Sequence, residues 1–281
     1  MLERQLIGGV ERLRVCRAFF GRGLYHTAAY RVGEVLVDSG CAHTAGEMVA
    51  ALERGAPPRL ILNTHGHEDH IGANGPLQAR FGLRVMAHPL ALPVLAAPRA
   101  RQPEQLYRRL VWGYPAPCRA DALEGSIEAA GVALEVIPTP GHSADHVAFF
   151  ERSRGWLFCG DAFVGGQDRE LRPESDALGV IASLRRLLAL GAAALFPGSG
   201  SVYHQPGAVL SQKIAYLEDL GGRIVELHQR GLSARRIRTV VFGRERPVAW
   251  ITGGDFTSLN LVRSFLRGGS PSPADTRLAV P

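Results

Sequence analysis

The sequence has few cysteines, and their spacing matches no common cysteine motif. Four occur among 281 residues, and none belongs to a C-x-x-C pair. The four positions are Cys16, Cys41, Cys118 and Cys159. This spacing excludes a zinc knuckle and the disulfide framework of a small secreted domain, so a reducing compartment is expected.

Long apolar runs are missing too. The longest, around residues 187–196, is far short of the roughly 20 apolar residues that cross a bilayer. The first six residues carry early charges and lack the apolar centre of a secretory signal. We therefore expect a cytoplasmic protein with no membrane partner.

Lysine is almost absent, although the chain is basic. Lys213 is the only lysine among 32 lysine and arginine residues, and the formal net charge is +6. Such a charge attracts nucleic acid, anionic lipid or acidic metabolites. Arginine is common throughout the chain, however, which favours compositional bias over a dedicated surface. A nucleic-acid partner is compatible with the charge but is not favoured by it.

Short aliphatic strands followed by polar loops recur along most of the chain. Residues 59–64 form one such strand directly before a histidine cluster, and residues 132–137 form another before Thr139-Pro140-Gly141-His142. Because a sheet is rigid, side chains at the ends of its strands can be aimed into one cleft. Similar strands are expected at residues 32–37, 83–87, 147–150, 156–159 and 193–196.

Helical patterns connect these strands and dominate the C-terminal part. Thr44 and Glu47 have the spacing of a capping box for a helix at 45–54, and Ser258 is expected to be the N-cap of a helix reaching residue 267. Further helices are expected at residues 176–190, 208–220, 221–230 and 233–240, with an irregular helical insertion at 92–120. The predicted organisation is a domain over 1–206, a helical extension over 207–268 and a flexible tail over 269–281.

The most informative motif is His65-Gly66-His67-Glu68-Asp69-His70. Imidazole and carboxylate are common zinc ligands. In a tight loop, His65 and His67 point to one side, while Asp69 and His70 lie one turn further on. Such a loop can serve two adjacent metal positions. The sequence therefore predicts a metal centre at the end of the strand that precedes the motif.

This motif resembles the H-x-H-x-D-H signature of the metallo-β-lactamase superfamily. The resemblance covers roughly residues 15–205, and it implies an α/β (α+β) fold, the four-layer αββα sandwich with metals at one edge. The helical pattern after residue 206 adds a helical C-terminal extension. Four further features occur in the family's order: Asp38 at an early strand end, His142 in Thr-Pro-Gly-His-Ser, Asp161 in Cys-Gly-Asp, and a Pro-Gly-x-Gly turn at Pro197.

The resemblance also implies roles for individual residues. Asp38 is expected to orient the ligand loops through hydrogen bonds, and Asp69 to orient the nucleophile or accept its proton. Six metal ligands are implied: His65, His67 and His142 at the first position, Asp69 and His70 at the second, and Asp161 bridging both.

One position departs from the family pattern. The family's last ligand is a histidine within the Pro-Gly-x-Gly turn, where this chain has Ser199. A neutral hydroxyl is a poor zinc ligand beside imidazole, so the second position would depend on water or on His204. We expect one or two Zn²⁺ per chain, with a full first position and a weakened second one. Iron and manganese suit the same ligands.

The ligand set predicts a metal-dependent hydrolase with a small-molecule substrate. Zinc-bound water has a pKa of about 7 and supplies hydroxide at neutral pH, which would attack a thioester, ester or lactone. Aromatic side chains from loops often line such clefts, but a core position explains the same rings equally well. The aromatic candidates are Tyr107, Trp112, Tyr114 and Phe163, and His204 is a further candidate for the same cleft.

Two alternatives stay open at this point. Some relatives bind one iron through two histidines and an aspartate and oxidise sulfur compounds with dioxygen, and His65, His142 and Asp161 would supply that set. The other alternative is an RNA-processing nuclease or a nucleic-acid-binding protein with a winged-helix-like C-terminal unit, although a solvated face explains its arginines more simply. Those arginines are Arg223, Arg230, Arg235, Arg236, Arg238, Arg244 and Arg246.

Overall fold

The computed structural model describes residues 1–19, 22–129 and 131–267, and contacts within the chain divide it into two units. Two earlier segments group with the C-terminal helices, and the domain boundary at residue 206 stays a prediction. The predicted tail at 269–281 lies outside the described residues. The first unit comprises Met1–Pro138, Asp145–Val164 and Ala192–Pro206, and the second comprises Thr139–Ala144, Gly165–Gly191 and the residues from 207 onward.

The first unit contains a seven-stranded sheet whose strands follow chain order. They are β1 (Leu2–Ile7), β2 (Val10–Phe19), β3 (Arg22–Val32), β4 (Val35–Val37), β5 (Leu60–Leu62), β6 (Arg84–Ala87) and β7 (Asp121–Ala122). The strands from β1 to β4 pair antiparallel, and those from β4 to β7 pair parallel. Parallel pairing brings the ends of β4 and β5 to one edge of the sheet, where Asp38 and the histidine loop follow them.

The same unit contains a six-stranded sheet. Its strands are β8 (Ser126–Ala129), β9 (Val132–Pro138), β10 (Val147–Glu151), β11 (Trp156–Gly160), β12 (Ala194–Pro197) and β13 (Tyr203–His204), in the spatial order β13-β12-β11-β10-β9-β8. All neighbours pair antiparallel except β11 and β12, which are parallel. Asp161 and Gly198 therefore leave the sheet side by side.

An aromatic cluster fills the space between the two sheets. Tyr30 of β3 lies with its ring centroid 5.8 Å from that of Phe158 and 5.4 Å from that of Phe196, and the latter two rings stack at 5.0 Å. Burial of each such ring contributes about 1.5–3 kcal/mol. The Tyr30 hydroxyl also donates to the carbonyl of Pro197 at 2.6 Å. The core thus fixes the end of β12, which carries part of the site.

Five α-helices among the described residues of the first unit cover the other face of the seven-stranded sheet or lie in its connections. A second core joins that face to the helices, with Leu36 and Ile61 of the sheet packed in one cluster with Met48, Leu52 and Leu77. The helices are α1 (Ala45–Glu53), α2 (Asn74–Phe81), α3 (Leu92–Ala96), α4 (Pro98–Arg101) and α5 (Leu106–Val111).

The described residues of the second unit form five helices. Asp176 caps the first of them, since its carboxylate accepts a hydrogen bond from the backbone N–H of Leu178 at 3.0 Å. No helix among the described residues is long and apolar enough to cross a membrane. The helices are α6 (Ala177–Ala189), α7 (Gly207–Gln229), α8 (Ala234–Phe242), α9 (Pro247–Ile251) and α10 (Ser258–Leu266).

The N-terminal sheet differs from the sequence prediction. Residues 32–37 do not form one strand, because a turn at Gly33, with φ of 57°, separates β3 from β4. β1, β2 and most of β3 were not predicted. Charged or polar residues interrupt these strands, as Glu3, Arg4 and Gln5 do in β1, so no unbroken aliphatic run marks them.

Several helix predictions also need correction. Thr44 forms no capping box, since its hydroxyl donates to the carbonyl of Cys41 instead. Thr257, not Ser258, caps α10. The two helices predicted at 208–220 and 221–230 are one continuous helix, α7. A winged-helix-like unit is not formed, because residues 243–246 join α8 to α9 directly and the described residues from 207 to 267 contain no β-hairpin.

Candidate metal centre

The histidine loop begins directly after β5, whose three residues are all buried. Because β5 is central in its sheet, the loop starts from a fixed point. Nε2 of His65 lies 2.9 Å from Nδ1 of His67, and the ring of His65 is fully buried. This is a hydrogen-bond distance, and it brings together two imidazole nitrogens of the kind that bind zinc.

Asp38 fixes both ends of this loop. Its backbone has φ of +59°, which an aspartate adopts more readily than most residues. Its carboxylate accepts hydrogen bonds from the backbone N–H and the hydroxyl of Thr64, each at 2.8 Å, and lies 2.8 Å from Nδ1 of His70. A proton on Nδ1 leaves Nε2 of His70 as the ligand nitrogen.

Asp161 follows β11 and faces His70. Nε2 of His70 lies 3.5 Å from Oδ1 of Asp161 and 3.8 Å from Oδ2 of Asp69. Within the described part of the chain, no group completes a well-formed hydrogen bond to this buried nitrogen. One ligand atom each from His65, His70 and Asp161 lies within 4.8 Å of the others. An orphaned imidazole nitrogen beside carboxylates is the environment expected for a divalent metal ion, so these residues fit one.

The carboxylates around His70 also change its protonation. Burial by itself lowers the pKa of this imidazole, but Asp161, Asp38 and Asp69, in that order, raise the pKa well above its ordinary value. The cluster therefore has a surplus of negative charge that requires a cation, whether a proton or a metal.

Two glycines let the strands approach the cluster closely. Gly160 has φ of +47°, and a side chain there would meet Thr64 and His146. A methyl group on Gly198 would lie 2.6 Å from Cε1 of His70 and would collide with Oδ1 of Asp161. Ser199, half-buried, follows immediately. The turn that holds Ser199 thus lies against the residues of the predicted second metal position.

His142 belongs to the second unit, in the segment Thr139–Ala144. There the Ser175 hydroxyl donates to the carbonyl of His142 at 3.0 Å, and the Asp176 N–H donates to the carbonyl of Gly141 at 2.7 Å. The segment that contains His142 is therefore held at the N-terminal end of α6. The role of His142 as a ligand stays a prediction from the family resemblance.

The structure buries most of the aromatic residues predicted for a substrate cleft. Tyr107 and Trp112 are 7% and 5% exposed, with ring centroids 5.6 Å apart. Phe163 is buried, and its ring centroid lies 5.4 Å from that of Tyr203. These three rings belong to the packed interior of the first unit. Tyr114 is half-buried, with the guanidinium of Arg99 5.9 Å from its ring centroid.

His204 lies away from the turn that contains Ser199. β13 pairs antiparallel with β12, and His204 is opposite Ala194, the first residue of that strand. Ser199 follows the other end of β12. At about 3.3 Å per residue the two ends are roughly 10 Å apart, and the His204 side chain is exposed. His204 is therefore poorly placed to replace the missing histidine.

Several residues that hold the site were not predicted from the sequence. His146 is buried, and its Nε2 accepts a hydrogen bond from the backbone N–H of Asp161 at 3.1 Å. The Asp145 carboxylate accepts one from the backbone N–H of Gly66 at 2.7 Å. Only their position directly after the Pro-Gly-His-Ser segment could have indicated them, since neither belongs to a motif of its own.

Comparison with known proteins identifies the family. A family model described as "Metallo-beta-lactamase superfamily" matches residues 23–199, which is more than half of the chain. The match begins in β3 and ends at Ser199, so it includes the histidine loop and Asp161. The chain belongs to the metallo-β-lactamase superfamily, as its motifs predicted.

Curated relatives match part of the chain. A hydroxyacylglutathione hydrolase from Synechococcus sp. (strain JA-2-3B'a(2-13)) is 34% identical over 156 residues, 54% of this chain and 53% of that protein. A probable metallo-hydrolase from Bacillus subtilis (strain 168) is 29% identical over 153 residues, 49% of this chain and 60% of that protein. The chain thus spans about half the length of the curated relatives it matches.

Solved structures share the fold over nearly the whole chain. A metallo-beta-lactamase family protein from Thermus thermophilus has a TM-score of 0.70 at 21% identity and covers 95% of this chain and 98% of its own. A beta-lactamase domain protein from Burkholderia ambifaria has a TM-score of 0.69 at 21% identity, with 94% and 88% covered. The expected metallo-β-lactamase fold with a helical C-terminal region is confirmed, and identities this low show the fold alone.

Proposed function

We propose that the chain is a metal-dependent hydrolase that cleaves an acyl thioester. The observation that carries the proposal is the convergence of His65, His70 and Asp161, whose ligand atoms lie within 4.8 Å of one another. Three carboxylates surround the buried Nε2 of His70, and a bound cation would neutralise part of their negative charge. Zinc is the favoured ion for such a mixed set of nitrogen and oxygen ligands, and iron and manganese suit it as well.

The ligand assignment combines geometry with the family resemblance. His65 and His67 would hold one ion, together with His142, which the resemblance alone assigns. His70, Asp69 and Asp161 would hold the second. When bound, the metal supplies a Lewis acid that activates water and polarises the substrate carbonyl.

The chain's own residues orient the reactants and move protons. Asp38 keeps the proton of His70 on Nδ1, so that the opposite nitrogen stays directed towards Asp161. Asp69 is 4% exposed and lies on the same side of His70. We assign to its carboxylate the role of accepting the proton of the attacking water. The surrounding burial excludes bulk solvent and strengthens these electrostatic interactions.

The thioester assignment is supported by the relatives. Several curated relatives are hydroxyacylglutathione hydrolases, from organisms that include Haemophilus influenzae at 33% identity over 137 residues. A hydroxyacyl thioester of glutathione is therefore the first substrate to test, ahead of simple esters and lactones.

The test is hydrolysis by the full chain after reconstitution with zinc. We expect turnover of the glutathione thioester, and loss of at least 10²-fold in kcat/KM for His65→Ala, because the metal is no longer held. His228→Ala changes a histidine on the exposed side of α7 and serves as the matched control. A reconstituted protein that fails against thioesters, esters and lactones alike would contradict the proposal. Oxygen uptake with a persulfide by the iron-loaded chain would instead support the sulfur dioxygenase alternative.

A further inference from the structure

Side chains from the segment that contains α4 and α5 hold the histidine loop in position. Gln102, directly after α4, donates a hydrogen bond from Nε2 to the carbonyl oxygen of Gly66 at 3.0 Å. Gln102 is 8% exposed. Gly66 lies between the predicted ligands His65 and His67, so this bond fixes the peptide group between Gly66 and His67.

A buried ion pair makes the second connection. Glu68 lies within the histidine motif, and both of its carboxylate oxygens lie 3.0 Å from Nη1 of Arg108 on α5. The side chains are 1% and 2% exposed. Nε of Arg108 also donates to the side chain of Gln105 at 2.8 Å, which holds the guanidinium in place. The carboxylate of Glu68 is therefore paired with a guanidinium whose orientation Gln105 helps to fix.

Gly66 is held on its other side as well. Its backbone N–H donates to the carboxylate of Asp145, while its carbonyl oxygen accepts from Gln102. Both peptide groups of this residue are therefore fixed by side chains from distant segments. A methyl group on Gly66 would lie 3.2 Å from Oδ2 of Asp145 and 3.6 Å from the Cβ atoms of Ala91 and Val94. The side of Gly66 to which a side chain would point is therefore closely packed.

We propose that Gln102 and Arg108 are positioning residues that hold His65 and His67 at the spacing required for metal binding. The proposal rests on the metal site described above but not on the identity of the substrate. Partners of the groups that carry metal ligands typically change metal affinity 10–100-fold when removed. A buried ion pair contributes little net stability compared with apolar residues of the same volume. We therefore expect the Glu68–Arg108 pair to matter more for the orientation of the histidine loop than for the stability of the fold.

The zinc dissociation constant of the full chain tests this directly, measured by competition with a chromogenic chelator. Gln102→Leu removes one hydrogen bond without changing charge, and we expect it to weaken zinc binding 10–100-fold. The matched control is Gln78→Leu, because Gln78 also bonds backbone carbonyls, of Leu83 and Arg119, away from the histidine loop. The control is expected to bind zinc like the wild type.

The ion pair needs a variant that leaves no buried charge unpaired. Arg108→Met alone takes away the ion-pair partner of the buried Glu68 carboxylate and can prevent folding. The double variant Glu68→Gln/Arg108→Met is therefore the one to measure. We expect it to fold, to weaken zinc binding 10–100-fold and to alter the visible spectrum of the cobalt-loaded protein. Arg108→Lys, which keeps the charge, is expected to recover part of the affinity.

The outcomes separate this proposal from the proposed function. The positioning role is supported if Gln102→Leu and the double variant both lose zinc affinity while their apo-protein melting temperatures match that of Gln78→Leu. This holds whether or not a thioester is hydrolysed. Zinc affinity equal to the wild type in both variants overturns it, even if the wild type proves to be a thioesterase.

Discussion

Asp38 and His70 are joined by a 2.8 Å contact between Oδ2 and Nδ1 although they lie 32 residues apart. Both are buried, at 2% and 1% exposure. The same carboxylate holds the backbone and hydroxyl of Thr64, the residue before the histidine motif. One aspartate at the end of β4 thus determines both where the loop starts and which nitrogen of His70 is available.

Replacement of Asp38 by asparagine should weaken the metal site more than the fold. Asparagine tolerates the left-handed backbone at this position, but its amide cannot accept every hydrogen bond that the carboxylate accepts. We expect metal affinity to fall 10–100-fold and the free energy of unfolding to fall by about 1–3 kcal/mol. Zinc titration and denaturant unfolding measure the two effects. Asp121→Asn, which alters an exposed partner of Arg84, is the control, and equal zinc affinities in the two variants would contradict the role of Asp38.

Gly198→Ala should disrupt the cluster by steric overlap. The added methyl group would collide with Asp161 and would lie 2.6 Å from Cε1 of His70, so at least one of them must move. We expect the position formed by His70 and Asp161 to stay empty even after reconstitution with zinc, seen as fewer moles of zinc per reconstituted chain than in the wild type. Gly46→Ala is the comparison, because a methyl group there has no neighbour within 4 Å. Unchanged zinc content in Gly198→Ala would show that the turn does not lie against a metal position.

Ser199→His should restore the ligand that the family pattern places in this turn. Ser199 follows Gly198, which packs against Asp161 and His70, and imidazole binds zinc far better than a neutral hydroxyl. We expect the zinc content to rise towards two per chain. Ser201→His introduces the same side chain at an exposed position two residues later and should leave the content unchanged. A rise in both variants would indicate adventitious binding by the added histidine.

Adjacent glycines of α7 offer a test of packing in the second unit. A methyl group on Gly221 would lie 2.7 Å from Cε1 of Phe265, whereas a methyl group on Gly222 would meet no atom of another part of the chain within 4 Å. Gly221→Ala should therefore destabilise the protein by about 1–3 kcal/mol. Gly222→Ala should stabilise it by about 0.5–1 kcal/mol, because alanine favours the helix. Thermal unfolding distinguishes them, and two shifts of the same sign would contradict the packing described for α7 and α10.

Local sequence signals predicted the elements that carry the chemistry. β5, β9 and β11 are short, mostly apolar runs followed by polar residues, and that pattern predicts both the strands and the loops after them. The motif itself is local, since His65, His67, Asp69 and His70 lie within six residues. The family resemblance then supplied the fold, which periodicity alone left as an unspecified α/β chain.

Long-range contacts could not be predicted in the same way. Glu68 was visible inside the motif, but nothing in the sequence pairs it with Arg108, 40 residues later. Asp145 reaches Gly66 over 79 residues. Such partners are chosen by tertiary packing, which a single sequence does not display. For the same reason Tyr107 and Trp112 could be assigned to a cleft or to the core with equal justification, until their burial placed them in the core.

The central claim is that the cluster of His65, His70 and Asp161 binds a divalent metal ion, and elemental analysis of the purified full chain tests it most directly. We predict at least one mole of zinc, iron or manganese per chain after purification without chelator. We further predict that this metal is lost in His65→Ala/Asp161→Ala and retained in His228→Ala. A wild-type chain that holds no metal even after reconstitution, or a double variant that keeps the full amount, would contradict the account.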